Sequence, residues 1–547
     1  MMDFTKHVAT RLRKLATPQR APIPGSAQVP NSAGGYAWAV DAWTRLDRFL
    51  VLGTEGGTYY VGERELTVEG AGAVAECLAA DGPRVVRRVV EVSASGRAPK
   101  NDPALFVLAM AAGLGDPATR AAALRALPEV ARTGTHLLHW LKYAGAFRGW
   151  GRGVRRAVGA WYTAREGREL AYQLLKYPSR DGWAHRDALR LAHPKPKTEE
   201  QRALFARAVR GALPEDAPRS LATALVRAAD GLFADPELSP KRAAETIRRY
   251  RLTREMVPTH LLRHPVVWEA LLEEMPTTAL VRNLATLTRV GLLVNGSAAV
   301  KTVVSRLTDA GRLKRARVHP VQVLSALRTY ARGSGARGQG SWTPVARVVD
   351  ALDAAFYLAF GAVEGSGRRT MLALDVSGSM SARVLGLPNL SCREASAAMA
   401  LVTAATEPAH FFTAFTAGGH PSRWGSASSG LTPLSLSPRQ RLDDVVRVTE
   451  GLPFGGTDCA LPMVEALKNR WKVDVFVVYT DNETWAGAVH PAQALRRYRE
   501  ATGIPAKLVV VGMASNGFTI ADPEDAGMLD VVGFDAAAPQ LIADFAR

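Results

Sequence analysis

Cysteine is nearly missing from this chain: there are three in 547 residues, Cys77, Cys392 and Cys459. They are widely spaced and match no metal-binding pattern, which excludes a disulfide framework and suits a reducing compartment. Long apolar runs are missing too. No stretch approaches the roughly 18 residues of a membrane span. The basic start, Met1 to Leu15, has no continuous apolar core behind it, so no secretory signal is expected. Catalytic signatures are equally scarce. His136-Leu137-Leu138-His139 lacks the glutamate and spacing of a zinc protease. The glycines of Gly53-Thr54-Glu55-Gly56-Gly57-Thr58-Tyr59-Tyr60 are followed by no Lys-Ser/Thr pair, so they make no phosphate loop. No nucleophile elbow with its partners occurs, and no strict repeat period is present. These gaps predict a cytoplasmic protein without membrane segments and without catalysis of its own.

What is present is ordinary globular composition, 47% hydrophobic and 22% charged, in a chain too long for one core. The net charge of +18 is unevenly placed. From Ser366 to the end there are 16 Lys and Arg against 18 Asp and Glu, leaving 53 against 33 before that point. The first two-thirds therefore carries a net +20 and the last third −2, which points to a polyanion bound by the first part.

Residues 1–20 form a basic arm, and the Pro-, Ala- and Ser-rich stretch to about residue 30 suggests a loosely held segment. Aromatic and apolar residues at Tyr36, Trp38, Trp43, Leu46 and Phe49 follow at helical spacing. From about 68 to 330 the pattern is nearly all helical with short breaks. Leu221, Leu225, Ala228/Ala229 and Leu232 line one helix face; Trp268, Leu271, Leu272 and Met275 line another; Leu280, Leu284 and Leu287 follow Pro276. Serial amphipathic helices of this kind suit an α-solenoid of stacked pairs over residues 21–365. Gly333 to Gly340 punctuates its end, a helix Pro344–Phe360 follows, and Gly365-Ser366-Gly367 marks the boundary. Beyond it, strands and helices alternate: helices near 393–406, 442–449, 460–469 and 491–499, and strands at 410–415, 473–480, 507–511 and 529–532. Alternation predicts a parallel doubly wound sheet over 366–547, with ligands at the carboxyl ends of its strands.

One stretch of that second domain carries chemistry. Thr370-Met371-Leu372-Ala373-Leu374-Asp375 is a buried-strand run ending on an acid, with Ser377 and Ser379 in the turn after it. Thr457 lies in the Gly-rich turn Gly455-Gly456-Thr457-Asp458, and Asp481 ends a second buried-strand run from Val475. Two carboxylates with three hydroxyls match the demands of Mg²⁺ or another hard divalent cation, which takes one or two carboxylates and keeps several waters. With no second carboxylate cluster, a two-metal nuclease is disfavoured.

The most basic and aromatic part of the helical region begins at Arg148-Gly149-Trp150-Gly151-Arg152. Arg152, Arg155 and Arg156 share one helix face, and Lys176, Arg180, His185, Arg186, Lys195 and Lys197 follow within a few turns. Guanidiniums pair with phosphate, and aromatic rings stack on unpaired bases.

The set Asp375-x-Ser377-x-Ser379, Thr457, Asp481 resembles the metal-ion-dependent adhesion site of von Willebrand factor A domains, in which a partner's carboxylate fills the metal's open position. Several stretches are similar to the TROVE module of the Ro autoantigen family: Gln28-Val29-Pro30-Asn31, Arg45 to Leu50, Gly53 to Tyr60, Gly149 to Arg152, Asp181 to Leu191, Met275 to Leu284, and Arg317-Val318-His319-Pro320. That family also ends in an A domain, so the resemblance covers nearly the whole chain. It implies a monomeric ring of HEAT-like helical repeats closed by the A domain. It implies Y RNA on the basic outer surface, at Lys176, Arg180, His185 and Arg186 with Arg152, Arg155 and Arg156 in support. It implies single-stranded 3′ ends of misfolded or precursor RNA, ribosomal RNA included, in the central hole, and polynucleotide phosphorylase tethered through Y RNA. The turn Ser377-Gly378-Ser379 departs from the Ser-Ala-Ser of eukaryotic relatives but keeps every oxygen ligand. A metal-dependent adaptor that captures a partner carboxylate is the alternative reading.

Overall fold

Short polar side chains start many of the helices. Asp41 accepts from the Thr44 amide and Asp116 from that of Thr119, both at 2.7 Å, and Thr133, Thr198, Ser220, Ser239, Ser297 and Asp309 cap later helices in the same way. A chain punctuated by such caps breaks into serial helices rather than long ones. The computed structural model describes residues 16–53, 71–335, 340–383, 390–416, 430–438, 440–450, 455–514 and 516–547. The glycine-rich stretch 54–60 and residues 336–339 lie outside them.

Helices run from Ala42–Leu52 to Ala346–Leu358, each packing on helices one to three places away in sequence. Gly72–Ser95 is two helices meeting at a kink, where Asp81 leaves helical geometry and its carboxylate caps the Arg84 amide at 2.9 Å. Asp102–Leu114 is buried almost all round and anchors this end of the wall. The apolar faces expected at Trp268, Leu271, Leu272 and Met275 and at Leu280, Leu284 and Leu287 are buried. Leu221 is the exception: it is 77% exposed, because the helix Leu221–Ala234 turns its first residue outward and buries Ala222, Leu225, Val226, Ala229 and Leu232.

The wall returns to its start. Arg317 Nε donates to the Ala94 carbonyl at 2.7 Å, His319 Nε2 contacts the Arg97 carbonyl at 3.0 Å, and Gln322 donates to the Pro99 carbonyl. Residues over 200 positions apart are thus joined, and the helical part closes on itself as a ring.

Strands supply the rest. We label β1 (Gln28–Pro30), β2 (Tyr36–Ala39), β3 (Ser179–Arg180), β4 (Trp183–Ala184), β5 (Thr370–Asp375), β6 (His410–Phe415), β7 (Leu431–Leu434), β8 (Val475–Thr480), β9 (Lys507–Gly512), β10 (Phe518–Thr519) and β11 (Met528–Val532). The main sheet has the order β11-β9-β8-β5-β6-β7 and is parallel except for β7, an antiparallel edge strand that the alternation pattern did not anticipate. Its two faces alternate residue by residue. Leu372, Leu374, Val475, Val477, Val509 and Val511 point into the same core as the helical ring. Met371, Ala373, Phe476, Val478, Leu508 and Val510 face a second core under the helices Leu461–Lys468 and Pro491–Thr502. One continuous core therefore joins ring and sheet.

Two expectations are corrected at the amino end. Tyr36–Ala39 is a strand rather than helix: β2 is the central strand of a three-stranded antiparallel sheet, pairing with β1 on one side and with β10 of the A domain on the other. Residues 16–30 are not a loose arm, since Gln19 is fully buried against the A domain. Among the described residues no helix is long and apolar enough to cross a membrane.

Candidate functional site

β5 and β8 are neighbours in the sheet, so the acids that end them meet at its carboxyl edge. Asp375 is fully buried; its carboxylate accepts from the Ser377 amide at 2.9 Å and from the Thr480 hydroxyl at 2.7 Å. Ser377 and Ser379 hydroxyls are 3.1 Å apart. Asp481 follows β8, and one of its oxygens accepts from the Glu483 amide at 3.1 Å. Thr457 sits on the adjoining turn, its carbonyl accepting from the amides of Trp485 at 3.1 Å and Ala486 at 3.0 Å. All five residues are buried.

Buried polar groups are expected to be paired. Here the Thr457 hydroxyl and the second oxygen of Asp481 have no hydrogen-bond partner. Burial, and then the neighbouring Asp375 carboxylate, push Asp481 up to about 7. Burial raises Asp375 as well. Two carboxylates kept from water and repelling each other, beside an unused hydroxyl oxygen, form a donor set that fits a hard divalent cation. No cluster of three His, Cys, Asp or Glu side chains exists among the described residues. A cation here would therefore rest on two carboxylates, hydroxyls and water. The guanidinium of buried Arg393 donates to the carbonyls of Val376 at 2.7 Å and Ser377 at 3.2 Å, and so braces the Asp375 turn from behind.

The basic residues lie on the helical ring. Arg152, Arg155 and Arg156 open the helix Arg152–Thr163 and are all exposed, while Val154, Ala157, Val158 and Trp161 on its other side are buried. The hairpin β3–β4 presents Arg180, exposed, with Nε 3.3 Å from His139 Nε2. Arg186 is exposed and 3.2 Å from Asp187. Lys176 is half-buried and donates to the Tyr172 hydroxyl at 2.6 Å. Two of the sequence motifs meet here: Trp150 and Trp183 lie with ring centres 5.6 Å apart, which sets the hairpin beside the arginine helix.

His185, expected at the surface, is 3% exposed. It starts the helix His185–Ala192 facing inward, with Nδ1 2.7 Å from the buried Tyr162 hydroxyl, and burial lowers it to about 4. Neutral and enclosed, it supports the surface rather than forming it. Sequence reasoning also missed a cleft of about 240 Å³, in which Arg168, Arg251 and Arg254 join Lys176 around Tyr172 and Asn283. Arg251 and Arg254 lie 75 or more positions beyond Arg168, Tyr172 and Lys176, and no local pattern links the two groups.

A third group was invisible in the sequence. Arg48 is 1% exposed and spans from ring to A domain: it pairs with Asp530 at 2.7 Å and donates to the Asn516 carbonyl at 2.5 Å. Asn516 in turn donates to the Asp481 carbonyl at 2.5 Å. The Arg45-Leu46-Asp47-Arg48-Phe49-Leu50 stretch signals only an amphipathic helix, and its destination depends on residues over 450 positions away.

Residues 29–221 and 232–328 match the TROVE domain, and residues 369–546 match the Ro60 vWA domain. The chain is 45% identical over 547 residues to RNA-binding protein RO60 of Deinococcus radiodurans, covering 99% of both. It is 36% identical to RNA-binding protein RO60 of Caenorhabditis elegans over 592 residues, covering 95% of this chain and 90% of the relative. The crystal structure of the Deinococcus radiodurans RO (RSR) protein aligns with a TM-score of 0.69 over 93% of this chain and 99% of that one. A helical ring running into an A domain, with both family domains matched in order, makes this chain a member of the Ro60 family.

Proposed function

We propose that this chain is a non-catalytic RNA-binding ring. The observation that carries the reading is the exposed triplet Arg152, Arg155 and Arg156, beside Arg180 and Arg186 and on the positive part of a chain with net charge +18. Cations displayed this way gain affinity from counterion release, with little dependence on sequence. The relatives' printed description as RNA-binding proteins supports the same reading. Y RNA is the ligand of the outer basic surface. A closed ring selects RNAs with a free single-stranded 3′ end, so misfolded and precursor RNAs, ribosomal RNA included, are sorted by shape. Through Y RNA the ring tethers polynucleotide phosphorylase in RNA quality control and decay, in the cytoplasm.

The A domain has its own task in this reading. Asp375, Ser377, Ser379, Thr457 and Asp481 would hold Mg²⁺, which when bound offers an open position to an acidic group. The unpartnered Thr457 and Asp481 oxygens favour this and keep a second reading in view, a metal-dependent adaptor for a protein carboxylate. The deciding experiment is purification of the full chain with and without nuclease, followed by sequencing of the retained RNA. Structured RNAs with 3′ tails, bound more weakly as salt rises, are expected. A chain that carries no RNA, and binds a tailed RNA equally at low and moderate salt, would refute the RNA reading and leave the adaptor.

A further inference from the structure

The amino-terminal segment enters the A domain at the loops that carry Thr457 and Asp481. Gln19 is completely buried there, and its amide uses all four of its hydrogen-bonding capacities. Its nitrogen donates to the Asp458 carboxylate at 2.7 Å and to the Val489 carbonyl at 2.9 Å. Its oxygen accepts from the Thr484 hydroxyl at 2.6 Å and from the Gly487 amide at 3.1 Å. One side chain thus stitches the residue after Thr457 to the loop that follows Asp481. Its backbone is engaged as well, donating to the Gly487 carbonyl at 3.0 Å and accepting from the Tyr36 amide at 2.9 Å.

The rest of the segment closes around the same loop. Asn31 donates to the Thr484 carbonyl at 2.7 Å, and the Ala33 amide donates to the Glu483 carboxylate at 3.0 Å. The approach is close enough to require glycine on both sides. A Cβ on Gly35 would stand 2.0 Å from the Thr484 carbonyl oxygen, and one on Gly487 would stand 2.3 Å from both Asp458 and Gln19.

We propose that this amino-terminal strap is the clamp of the cation site, with Gln19 as its positioning residue: it holds the Thr457 turn and the Asp481 loop at the separation a divalent cation needs. The inference rests on the reading of the site as a cation centre. A polar set whose loops drift by a fraction of an ångström loses affinity even when every ligand is present, because supporting hydrogen bonds orient the ligands. Residues far from the A domain in sequence thereby set its metal affinity, and the strap ties the ring's entry segment to the state of that site.

The test uses the full chain and Mn²⁺ titrated under electron paramagnetic resonance, with Mg²⁺ calorimetry alongside. Gln19→Ala is expected to bind at least tenfold more weakly than the parent while staying folded and keeping its RNA affinity in chelator. Asn31→Ala, which removes the second anchor and leaves Gln19 in place, is expected to fall between them, and Gln19→Asn to recover part of the loss. Asp375→Ala serves as the control without binding. If the parent binds Mn²⁺ and both strap variants bind equally well, the clamp is wrong and the cation reading stands. A parent that binds no more Mn²⁺ than Asp375→Ala removes the cation reading, and the clamp with it. If both strap variants unfold, the strap serves the fold alone, and that outcome also overturns the proposal.

Discussion

Arg97 and Asp535 are paired across the junction of ring and A domain. The guanidinium Nε lies 3.1 Å from both carboxylate oxygens, and a second nitrogen lies 2.5 Å from one of them. The Arg97 carbonyl meanwhile contacts His319 at 3.0 Å and accepts from the Ala536 amide at 3.2 Å. One residue therefore joins the first helices, the last helices and the carboxyl end of β11.

Breaking that pair should open the junction. Asp535 is 1% exposed, so Asp535→Ala leaves a guanidinium that is itself 83% covered with only the exposed Glu91 carboxylate, 3.3 Å away, as an ionic partner. The expected cost is about 3 kcal/mol, as for other buried pairs that lose one partner. Thermal unfolding should shift down, and protease should cut first between the helical part and the A domain. An unchanged melting temperature would show the pair to be idle.

Acid should destabilise the ring through its histidines. Burial holds His136 at about 3 and His185 and His319 at about 4. In the unfolded chain these imidazoles take up a proton near pH ~6.5. Their contribution is then complete above about pH 6.5 and is lost as pH falls toward 4, because the unfolded state binds more protons in that window. His319 shows why: its Nδ1 accepts from the Val321 amide at 3.2 Å, so a proton there has no place. Denaturant midpoints at pH 7, 6 and 5 should fall in order, and His319→Gln should flatten the trend. Equal midpoints would contradict it.

Removing the exposed triplet should weaken RNA binding without touching the fold. Changing Arg152, Arg155 and Arg156 to Gln together should lower affinity for a tailed RNA by about tenfold, and the slope of log affinity against log salt by about two. Filter binding across a salt series measures both. A slope equal to the parent's would place the RNA elsewhere.

Arg180 and His185 should separate by readout. Arg180→Ala is expected to lower RNA affinity with the melting temperature unchanged. His185→Ala leaves the buried Tyr162 hydroxyl without its partner, at a cost of about 1–3 kcal/mol. Melting and binding measured on both variants decide the matter, and a His185→Ala protein of parental stability would return that residue to the surface list.

The three thiols should stay silent in the native state. Cys77 is raised to about 11, Cys392 to about 12 and Cys459 well above its usual value, in each case chiefly by burial. A thiolate-specific reagent at pH 8 should label none of them until denaturant is added; prompt labelling of any one would show its cover to be open.

Much was legible in the chain because it is local. Periodicity and caps produce helices whatever lies around them, so the serial helices and the strands at 410–415 and 507–512 stand near where the pattern puts them. The acid at each strand end is local too, and in a parallel sheet adjacent strands bring such ends to one edge. That is why Asp375 and Asp481 could be paired before any coordinates. Only the tertiary structure decided what depends on distant partners. It turned His185 inward, gathered Arg168, Arg251 and Arg254 around Lys176, and buried Arg48 on Asp530 and Gln19 between two loops. A polar side chain carries no mark of whether water or another segment will satisfy it. Burial with a partner hundreds of residues away is settled by the closing of the fold, and the ring and its clamp are consequences of that closure.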